Sequence, residues 1–102
     1  MDGPRLENDV WTWRGALRLP RGAVEVRFTG RAPARDREEV LARIEPTPPP
    51  LGWARQIHSA RALPARPGEC GEGDAVFTGR AGLALAVVTA DCVPVLLAGP
   101  GG

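Results

Sequence analysis

The run Leu83–Ala98, LALAVVTADCVPVLLA, constrains the fold more than any other stretch of the chain. Its Val- and Leu-rich composition, with little polar alternation, reads as strands buried on both faces, and Pro94 forbids a regular helix through its second half. The one interruption, Thr89-Ala90-Asp91-Cys92, reads as the junction of two such strands. Burying a carboxylate or a thiolate there without a partner is costly, so a cation, a hydrogen-bond donor or a metal is expected close by. His58, the single histidine, is the first candidate.

A chain of 102 residues suffices for one small domain with a modest core. The 13 basic and 12 acidic residues leave a formal charge of +1, which argues against nucleic acid or an anionic membrane as the main partner. Every basic residue is arginine, and no function attaches to that. The opening residues do not pair a charged segment with an apolar one, so a secretory signal is not expected and the reading is cytoplasmic. Leu83–Ala98 falls short of the roughly 20 residues that span a bilayer and carries Asp91 inside it. In that setting Cys70 and Cys92 read as thiols rather than a structural disulfide.

Taken in order, residues 1–9 are polar and expected to fray, and Val10–Trp13 begins a β-favouring run with a turn expected at Arg14-Gly15. Leu17–Leu19 reads as a second short strand closed by Pro20-Arg21-Gly22. Ala23–Thr29 alternates with period two, which directs Val24, Val26 and Phe28 to the core. From Ala34 to Glu45 the pattern turns helical: Asp36 can cap, Glu38 and Glu39 fall in the first turn, and Val40, Leu41 and Ile44 form a stripe. Pro46-Thr47-Pro48-Pro49-Pro50 ends that helix as a stiff connector, with a ligand for a proline-binding domain as the functional alternative. Leu51–Ala60 favours a strand, Gly68–Gly73 a loop holding Cys70, and Asp74–Thr78 a further strand closed by Gly79–Gly82. The fold class is α+β, a strand-rich mixed sheet with one clear helix.

His58 and Cys92 lie 34 positions apart, so only the fold can unite them. Imidazole and thiolate suit zinc or copper, and a thiol beside an imidazole can also be an activated nucleophile. Against these stand an inert core thiol and a simply hydrogen-bonded histidine. Asp91, apolar on both flanks, is placed to orient a ligand, whereas Asp74 reads as a turn carboxylate and Cys70 as incidental. Trp11, Trp13 and Trp53 read as core or core-edge residues, with base stacking the alternative.

The order Gln56-Ile57-His58, then Gly73-Asp74-Ala75-Val76-Phe77-Thr78, then ALAVVTADCVPVLL over Ala84–Leu97 resembles the peptidoglycan-editing-factor family. Its members are also called laccase-domain or polyphenol-oxidase-like proteins, and purine nucleoside phosphorylases. The resemblance implies a zinc site with His, Cys and His ligands that serves purine nucleosides and phosphate. His58 and Cys92 match the first two ligands, and Gln56 and Asp91 are implied as positioning groups. The second histidine belongs to a His-Ala-Gly-Trp-Arg-Gly motif beyond the Pro-Val-Leu-Leu strand, so the chain is expected to be the N-terminal half of a larger α/β sandwich domain. Phe28-Thr29-Gly30-Arg31 matches a family segment, but Ala32-Pro33-Ala34-Arg35 replaces the Gly-Gly-x-Ser and Ser-Leu-Asn-Leu stretches that usually follow, and Ser59 stands where Gly is common.

The expected activity is phosphorolysis of purine nucleosides, with adenosine deamination alongside, and the chain alone is not expected to be competent. Copper-dependent phenol oxidation is one alternative. A non-enzymatic fragment or interaction module, completed by a C-terminal half or by a second copy, is the other. With so few elements to cover Leu83–Ala98, some apolar surface and a strand edge are expected to stay exposed.

Overall fold

A computed structural model of the chain describes residues 3–20, 22–31, 36–88 and 94–99. Among these residues the architecture is α+β, with one helix and eight short strands in three small sheets. The chain divides into two compact units, the first built on Met1–Pro48 and the second on Pro49–Leu96. The division falls inside the proline-rich connector, where missing backbone donors discourage regular structure.

In the first unit β1 (Arg5–Glu7), β2 (Val10–Leu19) and β3 (Gly22–Thr29) form an antiparallel sheet in that order. The segment expected to fray therefore contains a paired strand. Asn8 and Asp9 join β1 to β2 with φ of +48° and +67°, the two left-handed residues that a two-residue hairpin with the sheet's own twist requires. β2 also runs straight through Arg14-Gly15, where a turn was expected, because Arg14 pairs with Arg27 and Gly15 with Val26 in an unbroken register.

Pairing sorts the side chains onto two faces. Trp11, Trp13, Leu17, Val24, Val26 and Phe28 share one, and Val10, Thr12, Arg14 and Arg27 the other. Helix α1 (Arg37–Ile44) belongs to the second face. Asp36 caps it as expected, accepting from the Glu39 N–H at 2.9 Å. At its other end Asn8 Nδ2 donates to the Arg43 carbonyl at 2.7 Å and Arg14 Nη2 to the Ile44 carbonyl at 2.5 Å, which supplies donors to carbonyls a helix end leaves unpaired. Val10, Thr12 and Ile44 are buried, and the Thr12 hydroxyl donates to the Val10 carbonyl.

The placement of α1 corrects the expected core. Of Val24, Val26 and Phe28 only Val26 is buried, while Val24 stays 43% and Phe28 37% exposed, and Trp11, expected in the core or at its edge, is 50% exposed. Charge pairing decides the covered face. Arg14 forks onto Glu7 and reaches Glu45 at 3.1 Å, and Arg27 reaches Glu45 at 2.9 Å, so the helix end is bonded to the sheet side that carries the arginines. The Arg14 guanidinium holds the Glu7 carboxyl below its ordinary range against a smaller opposing effect of desolvation, and the Glu7 carboxylate in turn raises Arg14.

In the second unit β4 (Leu51–Arg55) lies between β6 (Gly68–Glu72) and β8 (Ala84–Ala86), parallel to both, and β5 (Ala62–Pro64) pairs in parallel with β7 (Ala75–Phe77). The stretch Gly68–Gly73, expected as a loop, is largely strand β6. Its glycines and glutamates carry no β propensity, and pairing with β4 plus an Arg55–Glu72 ion pair supplies what propensity does not. Gly52 is buried in β4, where an added Cβ would stand 2.5 Å from the Arg66 carbonyl oxygen.

Leu83–Ala98 departs most from expectation. Only Ala84–Ala86 forms a strand among its described residues, and it pairs on one side, with β4. Leu85, Val87 and Val88 are 37%, 40% and 53% exposed, and Val95 72%, so the described part of the run is not buried on both faces. Strand burial on two faces needs a layer on each side, and none covers these residues among those described. The expected junction at Asp91-Cys92 lies outside the described residues. No described helix is long and apolar enough to cross a membrane.

Candidate functional site

Strand β4 delivers Gln56, Ile57 and His58 into the loop that follows it. The loop returns toward β5 and is laced at both ends to the segment that opens β7. The Gly73 N–H donates to the Arg55 carbonyl at 3.0 Å, and the Asp74 and Ala75 N–H groups donate to the Arg61 carbonyl at 3.0 and 3.2 Å. Gly73 is buried in this crossing, and a Cβ there would meet the Arg61 carbonyl oxygen at 3.0 Å and the Leu63 side chain at 3.1 Å.

Between the two ties the Asp74 carboxylate fills the loop. Its Oδ1 accepts the backbone N–H of Ile57 at 3.0 Å and that of His58 at 3.1 Å, and its Oδ2 accepts that of Ser59. Successive amides converging on one anion form a nest, which stabilises negative charge. The Ser59 amide first, then the Ser59 side chain and the amides of His58 and Ile57, hold the Asp74 carboxyl below the usual range despite an opposing desolvation effect. His58 itself has φ +59°, a left-handed conformation that a residue with a Cβ seldom adopts.

The His58 side chain is exposed, and its ring has no hydrogen-bond partner among the described residues. Gln56 is exposed as well, and its Oε1 accepts the Val88 N–H at 3.2 Å. That bond ties the residue following β4 to Val88, the last described residue before the Thr-Ala-Asp-Cys string in the sequence. Asp91 and Cys92 lie outside the described residues. Cys70 is half-buried on β6, where its thiol donates to the Arg66 carbonyl at 3.3 Å and accepts from the Arg66 N–H at 3.4 Å.

Sequence reasoning assigned Asp74 a turn and left its partners unnamed. The signal available was the series of amides in Gln56–Ala60, which must find acceptors when a strand ends, and one carboxylate beside a glycine that allows close approach. The distance in sequence, 15 to 17 positions, kept that pairing out of sight.

The sequence profile of the family described as multi-copper polyphenol oxidoreductase laccase matches residues 29–102. The chain belongs to that family. It is similar to a purine nucleoside phosphorylase of Streptomyces griseus, 38% identical over 98 residues that cover 86% of this chain and 39% of the relative. It is also similar to a purine nucleoside phosphorylase of Streptomyces coelicolor, 42% identical over 69 residues that cover 64% of this chain and 28% of the relative. This laccase-domain chain thus spans under two-fifths of the length of the curated relatives it matches. No solved structure matches it.

A metal is implied by the family's description, and the described donors can be tested against it. An exposed imidazole whose ring has no partner among the described residues, on a loop braced through its backbone, suits zinc or copper as one ligand. No group of three or more metal-ligating side chains occurs among the described residues. His58 therefore fits as a contributor and not as a site by itself.

Proposed function

We propose that this chain contributes His58 and Cys92 to the zinc site of a purine nucleoside phosphorylase that also deaminates adenosine, and that it is not a competent catalyst alone. The observation that carries the reading is the tie from Gln56 Oε1 to the Val88 N–H, taken with likeness to relatives named purine nucleoside phosphorylase. That bond joins Gln56, two positions before His58, to Val88, three positions before Asp91 in the sequence, and this supports the reading. The chain has one histidine, so a His, Cys and His set draws its second histidine from outside these 102 residues. A polypeptide carrying the rest of the family's domain is the partner this requires, with a second copy of the chain as the other source.

When bound, zinc supplies a Lewis acid that polarises an oxygen ligand. His58 contributes a ring nitrogen to hold it, and Asp91 acts as a positioning group. Gln56 commits its carbonyl oxygen to Val88 and keeps its NH2 group to donate to substrate. In phosphorolysis a phosphate oxygen forms the new bond at ribose C1′ while the C1′–N9 bond breaks, and the purine leaves with that electron pair and takes up a proton.

The test incubates inosine or adenosine, with and without phosphate, with this chain alone and with a polypeptide carrying the remainder of the domain. Hypoxanthine, adenine and ribose 1-phosphate are followed, and bound metal is measured by elemental analysis. Phosphate-dependent products only with the two parts together, bound zinc, and loss of both product and zinc in His58→Ala and Cys92→Ala are expected. Stoichiometric copper with phenol oxidation would replace this reading by the one in the family's description.

A further inference from the structure

We propose that Asp74 is the positioning residue of this site, holding His58 in its left-handed conformation and so aiming the imidazole; the aim matters for function only if His58 is the ligand proposed above. Residue type permits that conformation without requiring it: histidine enters it more readily than most residues with a Cβ but far less than Gly, and its neighbours Ile57 and Ser59 do not impose it. What the loop has instead is a carboxylate placed where three consecutive N–H groups converge. Rotating the His58 backbone out of the left-handed region would turn those amides away from Asp74.

Asp74 is itself fixed. Its own N–H and that of Ala75 bond to the Arg61 carbonyl, and the preceding Gly73 N–H to the Arg55 carbonyl, so the carboxylate is anchored to both ends of the loop it fills. The tight approach at Gly73 explains why a glycine precedes it. No hydrogen bond to the His58 ring accompanies these contacts among the described residues, so Asp74 acts through the backbone and leaves the ring nitrogens available.

The division of labour between the two oxygens makes the proposal specific. Oδ1 takes two amides and Oδ2 takes the third. An asparagine of the same shape must present its NH2 group to at least one amide N–H, a donor facing a donor. Asp74→Asn is therefore expected to act like a loss of the anchor, whereas Asp74→Glu keeps two accepting oxygens and recovers part of the effect.

The experiment uses the full chain and two readouts. In NMR spectra, wild type is expected to show protected amides at Ile57, His58 and Ser59 and the short intraresidue amide-to-Hα distance of a left-handed residue at His58. Both should be lost in Asp74→Asn and partly restored in Asp74→Glu, while His58→Ala keeps the protection because the bonds come from the backbone. In competition with a chromogenic chelator, zinc binding should weaken by about 10- to 100-fold in Asp74→Asn, the usual consequence of losing a group that orients a ligand. Far-UV circular dichroism checks folding, and if the Asn variant does not fold, Asp74→Glu carries both measurements. A His58 that stays left-handed and protected in the folded variants overturns the proposal, as does unchanged zinc affinity. If the wild-type chain takes up no zinc by itself, the competition is repeated with the polypeptide carrying the rest of the domain; no zinc there ends the metal reading, and the NMR comparison alone then decides whether Asp74 sets the His58 backbone.

Discussion

The two units of this chain hold themselves together by different means. In the first, β2 and β3 pair continuously from Thr12 and Thr29 down to Leu19 and Gly22, and a short connection brings the partners together. In the second, among the described residues, no strand exceeds five residues and every pairing is parallel, so each strand must find a partner that is distant in the chain. Parallel ladders this short contribute little by themselves, and the unit adds side-chain ties to backbone: Asp74 to the His58 loop and Gln56 to Val88. The lesson is that the candidate site sits in the unit with the sparser ladder, where single side chains decide the course of the backbone.

Three substitutions sharpen or break this contrast. The largest effect is expected from Gly52→Val, whose side chain would start 2.5 Å from the Arg66 carbonyl. Displacing backbone in a packed strand should cost about 3 kcal/mol in urea denaturation. Amide exchange should rise in β4, β6 and β8 and stay unchanged in β1–β3; an equal rise in both units would abolish the distinction between them. Val10→Ala comes next. Val10 is fully buried in the first unit, and removing two methyl groups should cost about 2 kcal/mol, with the amides of residues 57–59 keeping their protection.

The smallest effect concerns the charge network of the first unit. Glu7 has its carboxyl lowered chiefly by the hydrogen bond from Arg14, so its ionised form is favoured more in the folded chain than in the unfolded one. Such a group contributes stability that is present above the unfolded pKa, about 4.3, and is lost as pH falls through the lowered folded value. Glu7→Gln should therefore make stability decline less steeply over that interval than in wild type, with the lowered Asp74 carboxyl still contributing to the slope. Thermal denaturation between pH 6 and the acid side of that window, about pH 3, reads this. A wild-type curve as flat as the variant's would show that the Arg14–Glu7 contact adds nothing measurable, the usual outcome for an exposed pair.

Much of the local structure is legible in the residues themselves. The alternation in Ala23–Thr29, the Asp36 cap with Glu38 and Glu39 behind it, and the proline string that ends the helix all act within a few residues, and the structure has β3, α1 and the unit boundary at those places. Family membership is legible too, because Gln56–His58 and the Thr-Ala-Asp-Cys string are carried by residue identity, whatever the conformation.

Tertiary structure alone decided three things. Period-two alternation divides β2 and β3 into two faces without saying which is covered; the Arg14, Arg27 and Glu45 contacts brought α1 to the polar one and left Trp11 and Phe28 exposed. Gly68–Glu72 lacks the composition of a strand and became one only because β4 offered unpaired backbone groups and Arg55 a partner for Glu72. The loop around His58 took its form from a carboxylate 16 positions away. A hydrogen-bonding group is visible in a sequence, but its partner is not when the chain between them must first fold, and that is why residue type and family resemblance singled out His58 while only the folded chain showed what holds it.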